Sequence, residues 1–310
     1  MRASMLRAAV LLVVAAPACA APRDGGDCAS AEADRRIAGC TRIIQDQGET
    51  ARMRAGALIN RALAYRAKGE LDRAIADYSE AIRIDPRYAD AYYNRAIAFK
   101  AKSDLDRAIA DYNEAIRLNP RDALADNNRG IAYRAKGEID RAIADYDEAI
   151  RLDPKNIWAY QNRGIVYLYG GLLDKARADF RQAAELAPKD PYCALWLEIA
   201  ERRSGVPGHL AEASRQLTLT AWPGPLVRLF LGETSLAATL AAAHVADATR
   251  GRRKACDANL YGAELAILQG RNDEALELYR LAAGECPNDF IEWTAANAAL
   301  RELGVTPYLQ

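Results

Sequence analysis

The chain has 310 residues, of which 51% are hydrophobic, so it can bury one long core or two ordinary ones. Its 42 basic and 42 acidic residues cancel, which argues against a nucleic-acid binder, since such proteins need a basic surplus to neutralise phosphates. It has two histidines, and it contains no nucleophile elbow, phosphate-binding loop, dinucleotide fingerprint or zinc-ligand spacing. The sequence therefore predicts no catalytic site, no metal and no cofactor.

The N-terminus has the pattern of a secretory signal peptide. Arg2 and Arg7 precede an apolar run over residues 8–16, which is too short to span a bilayer. Ala18-Cys19-Ala20 forms an A-x-A site, so we expect cleavage after Ala20, export to the periplasm and no transmembrane segment. The alternative is a lipid anchor at Cys19, although the residues before this cysteine match a lipobox poorly.

Four segments recur at a spacing of 34 residues, and each ends at a proline: Pro86, Pro120, Pro154 and Pro188. Counting each unit from Ala55, Ala89, Ala123 or Ile157, positions 8, 20 and 27 hold small residues and position 24 holds an aromatic one. Small residues let two helices approach closely, and proline at position 32 ends the second helix. The pattern resembles the tetratricopeptide repeat (TPR) family. It implies an all-α solenoid of helical hairpins in a right-handed superhelix.

The chain divides around this array. Residues 1–20 are the signal peptide, 21–54 an N-terminal extension with a lone helix, and 55–190 the four repeat units. Residues 191–250 are predicted to form capping and connecting helices, and 251–310 an isolated TPR-like hairpin with a final helix.

Five cysteines remain after signal-peptide cleavage. Cys256 and Cys286 lie at positions 1 and 31 of the isolated hairpin, where the first helix begins beside the end of the second, so we expect a disulfide between them. Cys28 and Cys40 form a second predicted pair, if the residues from 28 fold back along the lone helix. Cys193 is then a buried small side chain or, alternatively, a surface thiol.

A candidate binding face follows from the TPR resemblance. Positions 2, 5, 6, 9, 12 and 13 of each first helix share one arc of the helical wheel, and the resemblance implies that this arc lines a concave groove. Position 6 is asparagine in every unit, and an amide can bond to a peptide backbone in either direction, similar to the ladder of O-GlcNAc transferases. Position 12 holds three cations, which favour an acidic segment or a C-terminal carboxylate. The predicted peptide-binding residues are Asn60, Asn94, Asn128, Asn162, Arg66, Lys100, Arg134, Tyr93, Trp158 and Tyr169.

Structural alternatives stand beside these assignments. Asparagine at position 6 can bond neighbouring loops, the cations can form a solvated face, and Trp158 can pack on the helix that begins at Pro191. Arginine at position 7 and aspartate at position 23 of every unit predict a repeating structural ion pair: Arg61, Arg95, Arg129 and Arg163 with Asp77, Asp111, Asp145 and Asp179.

The C-terminal part carries a second resemblance. Trp222-Pro223 precedes a helix that ends at Leu231-Gly232, and Leu260-Tyr261-Gly262 and Phe290-Ile291-Glu292 follow. This is similar to the distal part of the NlpI-like TPR proteins of the bacterial envelope. The resemblance implies a non-enzymatic adaptor that tethers periplasmic proteases or peptidoglycan hydrolases, often as a homodimer. The sequence leaves open a rival function, a structural subunit of an envelope or secretion assembly whose repeats pack permanently or self-associate.

Overall fold

The computed structural model describes residues 25–243, 248–286 and 291–306, and every regular element within them is a helix. The predicted all-α fold of consecutive helical hairpins is confirmed. The predicted signal peptide, with Cys19, and His244 lie outside the described residues. The chain forms two compact units, Met1–Ala98 and Phe99–Gln310, with the division inside helix α5 (Ala89–Ala101).

The first unit is built around one complete hairpin. Its helices before α5 are α1 (Gly25–Cys28), α2 (Ala33–Gln45), α3 (Ala51–Ala67) and α4 (Leu71–Ile84). Thr50 precedes α3 and caps it, because its hydroxyl accepts the otherwise unpaired amide N–H of Met53 at 3.2 Å. The ring of Tyr78 is fully buried among the small side chains of Ala62, Ala74 and Ala81, as the repeat pattern predicts.

The second unit continues the hairpins in register. It contains α6 (Leu105–Leu118), α7 (Ala123–Ala135), α8 (Ile139–Leu152), α9 (Ile157–Tyr169), α10 (Leu173–Leu186) and α11 (Pro191–Arg203). Position 8 is glycine on α7 and α9 because a side chain has no room there. A Cβ atom on Gly130 would lie 2.7 Å from the Tyr146 ring, and one on Gly164 would lie 2.9 Å from the Phe180 ring. Helix α11 begins 34 residues after α9 and so stands where a fifth first helix would.

The C-terminal helices close around α11. They are α12 (Leu210–Ala213), a 3-10 turn (Ser214–Gln216), α13 (Gly224–Phe230), α14 (Leu236–Ala243), α15 (Ala248–Leu268), α16 (Asn272–Glu285) and α17 (Ile291–Glu302). Helices α15 and α16 form the predicted TPR-like hairpin, with Tyr279 fully buried. Trp196 on α11 lies between Phe180 and Tyr261, with ring centroids 5.6 and 5.5 Å apart. The end of the array and the C-terminal helices therefore share one core.

The predicted ion pair of positions 7 and 23 is observed within both units. The guanidinium of Arg129 donates twice to the Asp145 carboxylate, at 2.9 and 2.7 Å, and Arg61 and Arg163 bind their aspartates in the same two-point way. Arg129 also donates to Asn113 of the preceding hairpin at 2.9 Å. Each such guanidinium holds a hairpin together and fixes it to its neighbour, so these residues are structural.

The cysteine pairs predicted from the sequence are the ones that the structure joins. The Cα atoms of Cys28 and Cys40 are 4.5 Å apart, and those of Cys256 and Cys286 are 5.1 Å apart. A Cβ atom on residue 39 would lie 2.6 Å from the backbone of Cys28, so glycine there allows α1 to fold back on α2. Cys193 is buried and accepts a hydrogen bond from the Gln161 amide at 3.1 Å. Oxidation of the two pairs in the cell stays a prediction.

The turn of the first hairpin generates a stability prediction. Gly69 has a φ of +77° and Gly56 lies inside α3, and a Cβ atom would meet nothing within 4 Å at either residue. Gly69→Ala should lower the free energy of unfolding by about 1 kcal/mol because alanine is strained at positive φ. Gly56→Ala should raise it by about 1 kcal/mol because alanine favours helix. Urea denaturation of both variants checks this, and changes of the same sign would contradict it.

Candidate functional site

The predicted binding arc of the first helices, which we call the inner face, changes character along α9. Trp158, at position 2, is 51% exposed, whereas Asn162 is 4% exposed and Leu168 is fully buried. Helix α7 shows the same trend, from Leu124, 36% exposed at position 2, to the buried Arg134 at position 12. The inner face of the second unit is thus open at the N-terminal ends of its helices and closed further along.

The chain's own C-terminal part covers the closed end. Helix α17 contacts α9, and Ile165 and Leu168 belong to the same hydrophobic cluster as Ala296 and Leu300 of α17. No peptide groove is open along this length of α9. The sequence did not reveal this contact, because α17 lies more than a hundred residues away along the chain and its own pattern predicts only a helix.

The structure corrects the prediction for Tyr169. It was predicted to line the groove with Trp158, but its hydroxyl donates to the Glu264 carboxylate at 2.5 Å, beside the Tyr279 hydroxyl at 2.8 Å from the same oxygen. Burial and the Glu264 charge raise the pKa of Tyr169, so the hydroxyl stays protonated and donates. Arg203 completes this buried cluster, with its guanidinium 3.0 Å from Glu264. Tyr169 fastens α9 to the C-terminal helices and does not face a client.

The asparagines of the first unit are occupied by internal contacts. The Asn60 amide nitrogen points at the Cys28 sulfur, 3.9 Å away. The Asn94 amide donates to the Asp90 carbonyl at 2.8 Å, and its oxygen accepts from Arg66 at 3.1 Å. Two predicted binding residues, Arg66 and Asn94, therefore bind each other.

The asparagines of the second unit differ from one another. Asn128 is half-buried and donates to the Leu124 carbonyl one turn earlier, at 2.9 Å. Asn162 is buried and donates to the Asn127 side-chain oxygen at 3.0 Å. Asn162 therefore has the structural role that was the alternative for position 6. The prediction of a continuous ladder of client-binding amides is wrong at this residue.

The predicted cation row is also interrupted. Arg134 is 5% exposed, and within the described part of the chain its Nε and Nη1 atoms have no hydrogen-bond partner. It lies near the buried hydroxyl of Tyr146, whose pKa burial raises to about 12. Tyr93 and Lys100 are half-buried on α5. Arg134 is therefore an interior cation and not part of an open basic edge.

Sequence reasoning missed two residues on α7. Leu124 is exposed at the same repeat position as Trp158. Asp126 is 2% exposed at position 4, where the other units have Leu58, Tyr92 and Tyr160, and its Oδ1 atom is 3.3 Å from Arg129. Comparing the four units position by position would have singled out this carboxylate among apolar residues.

The described part of the chain holds little that suggests other chemistry. No cluster of three or more His, Cys, Asp or Glu side chains in residues 25–243, 248–286 and 291–306 is arranged to hold a metal ion. No helix in these ranges has the length and apolarity that a membrane span needs. The Nδ1 atom of His209 lies 2.9 Å from the buried Glu201 carboxylate.

Sequence profiles of the tetratricopeptide repeat match the chain over residues 62–103, 89–122, 130–170 and 157–190. No curated protein matches it. These profiles cover the repeats that the spacing of 34 predicts, so the predicted tetratricopeptide repeats are confirmed over these residues. The NlpI-like resemblance stays a prediction.

The chain is similar to several solved structures. The crystal structure of MamA is 28% identical, covers 50% of this chain and 88% of its own, and has a TM-score of 0.46. Pseudomonas aeruginosa pilF is 20% identical over 79% of this chain and 97% of its own, with a TM-score of 0.49. YrrB, described as a TPR protein with an unusual peptide-binding site, is 21% identical over 63% and 98%, with a TM-score of 0.47. All three scores are below 0.5, which is too low to transfer a function.

Asp126 generates a prediction about pH. Burial raises its pKa to about 6, from about 3.9 in an unfolded chain, so the folded state binds the proton more tightly. Between about pH 4 and pH 6 this carboxyl makes stability fall as the pH rises. Asp126→Asn should therefore raise the free energy of unfolding by about 2 kcal/mol at pH 7.5 and by little at pH 4.

Denaturation curves at both pH values test this, with Asp145→Asn as the control. That substitution breaks the two-point pair with Arg129 and should destabilise the protein at pH 7.5. A loss of stability in Asp126→Asn at pH 7.5 would contradict the prediction.

Proposed function

The chain carries tetratricopeptide repeats over residues 62–122 and 130–190, and on this basis we propose that it is a protein-binding scaffold without catalytic activity. Its clients are proteins or peptides, which it holds on the inner face of its first helices. The repeats supply rigid, regularly spaced helices, and a binding surface on such elements needs little ordering when a client binds.

One observation carries the proposal. Trp158 is 51% exposed and Leu124 is 36% exposed, at the same position of two helices, α7 and α9, that contact each other. Exposed tryptophans are enriched at the centres of protein interfaces, where they supply most of the binding energy. We call this patch the Leu124–Trp158 surface, and we take it as the client site of the second unit.

The setting of this function is part of the proposal. The N-terminal pattern of Arg2, Arg7, the apolar run and Ala18-Cys19-Ala20 supports export to the periplasm. The two cysteine pairs fit an oxidising compartment. The NlpI-like resemblance supports clients among envelope proteases or peptidoglycan hydrolases, which the scaffold would bring to their substrates.

A matched pair of variants tests the client site. Trp158→Ala should reduce client capture by about thirtyfold, the effect of removing a 2 kcal/mol hot spot. Leu172→Ala removes a similarly exposed side chain, 46% exposed, from the turn between α9 and α10 and should leave capture unchanged. The readout is crosslinking in the cells that make the protein, followed by quantitative mass spectrometry of the full-length chain and its partners. Equal capture by both variants would contradict the site, and one invariant set of subunits in both would favour the assembly function instead.

A second measurement tests the compartment. N-terminal sequencing of the mature protein should begin at Ala21. In denaturant without reductant one thiol, that of Cys193, should react with an alkylating agent, against five after reduction. A chain that begins at Met1 would contradict export with cleavage, and a lipid-modified Cys19 would contradict cleavage after Ala20. Five reactive thiols without reductant would contradict the two disulfides.

A further inference from the structure

The first helices of the second unit begin with one recurring pattern. A basic residue is followed by a capping Asp or Asn, and a large apolar residue occupies position 2. The cap of α7 is Asp122, which accepts the Leu124 N–H at 3.0 Å, and the cap of α11 is Asp190, which accepts the Tyr192 N–H at 2.8 Å. The three instances, 34 residues apart, are Arg121 with Leu124, Lys155 with Trp158, and Lys189 with Tyr192.

On α11 the chain itself covers position 2. Tyr192 is 6% exposed, and its hydroxyl donates to the Asp257 carboxylate of α15 at 2.6 Å. The Trp222 indole N–H donates to the same oxygen at 2.8 Å, and the Tyr261 ring lies 6.0 Å from the Tyr192 ring. The partner of this position is therefore a segment that supplies both an apolar ring and a carboxylate. On α7 and α9 the same position, Leu124 and Trp158, is uncovered.

The cations of the pattern are also unpaired. Arg121, Lys155 and Lys189 are exposed and have no ion-pair partner among the described residues. The carboxylates of the same loops are directed to backbone N–H groups instead, as in Asp153, which accepts the Lys155 N–H at 3.0 Å.

The second helices of the same unit give the contrast. Their arginines pair with acidic residues of the chain: Arg117 binds Glu114 at 2.8 Å and Arg177 binds Asp174 at 2.9 Å, each three positions earlier, and Arg181 lies 3.6 Å from Glu201. Arg121 and Lys155 have no ion-pair partner among the described residues and lie beside uncovered apolar positions, so a carboxylate from outside the chain would have no internal acid to displace there.

We propose that the Leu124–Trp158 surface binds an acidic segment of another protein. An apolar side chain of that segment packs on Leu124 and Trp158, as the Tyr261 ring lies beside Tyr192 within the chain. The carboxylates of the segment pair with Arg121 and Lys155. The inference rests on the proposed function and adds the chemical class of the client. It also makes client binding dependent on salt, since exposed ion pairs are screened by ions.

The test uses the full chain with a photo-crosslinking benzophenone amino acid in place of Leu124, made in the cells that contain the client. Two further sets of substitutions are compared in this background. The loop set is Arg121→Gln, Lys155→Gln and Lys189→Gln, and the control set is Arg117→Gln, Arg151→Gln and Arg177→Gln. Both sets remove three positive charges, and circular dichroism verifies that both variants are folded.

The expected adduct joins residue 124 to a client segment rich in Asp and Glu. Its yield should fall about tenfold in the loop set, fall with added salt in cell extracts, and stay unchanged in the control set. Equal yields in the two sets, or an adduct to a segment without acidic residues, would overturn the acidic-client inference and leave the scaffold function standing. Absence of any adduct would overturn both.

Discussion

Each hairpin depends on the packing of one buried aromatic ring against small side chains. Tyr78, Tyr146, Phe180 and Tyr279 are all fully buried at the same repeat position. The glycines and alanines around them leave no room for a larger side chain, so the two helices of each hairpin approach in one geometry. The arginines of the Arg–Asp pairs also bind the preceding hairpin, as Arg129 binds Asn113. The inner face of each first helix remains available to pack against another segment.

That segment differs along the second unit. The C-terminal half of α9 packs against the chain's own α17, and α11 packs against α15. The buried Glu264, held by Arg203, Tyr169 and Tyr279, joins these helices, and removing one member of such a cluster leaves an uncompensated charge that costs about 3–5 kcal/mol. The C-terminal helices are therefore a permanent part of this unit, and they leave the N-terminal end of α9, with Trp158, exposed.

The sequence was sufficient wherever the physics is local or periodic. The hairpins, the ion pairs of positions 7 and 23 and the two cysteine pairs follow from spacing, because neighbouring helices bring fixed positions together. The state of the inner face was not accessible in this way. Trp158 and Tyr192 occupy equivalent positions, yet one is open and the other is covered, and Tyr169 finds Glu264 at a sequence separation of 95. Such contacts depend on where a distant helix packs, which no local pattern records.

The most direct test of this account is residue-level footprinting with a photo-activated carbene, on the purified protein and in the cells that make it. Trp158 and Leu172 are similarly exposed, at 51% and 46%, and should be labelled to similar extents in the purified protein. The account predicts that labelling of Trp158 falls in cells while labelling of Leu172 does not, because a client covers the Leu124–Trp158 surface. Unchanged labelling of Trp158 in cells would contradict the claim that this surface is where the scaffold holds its client.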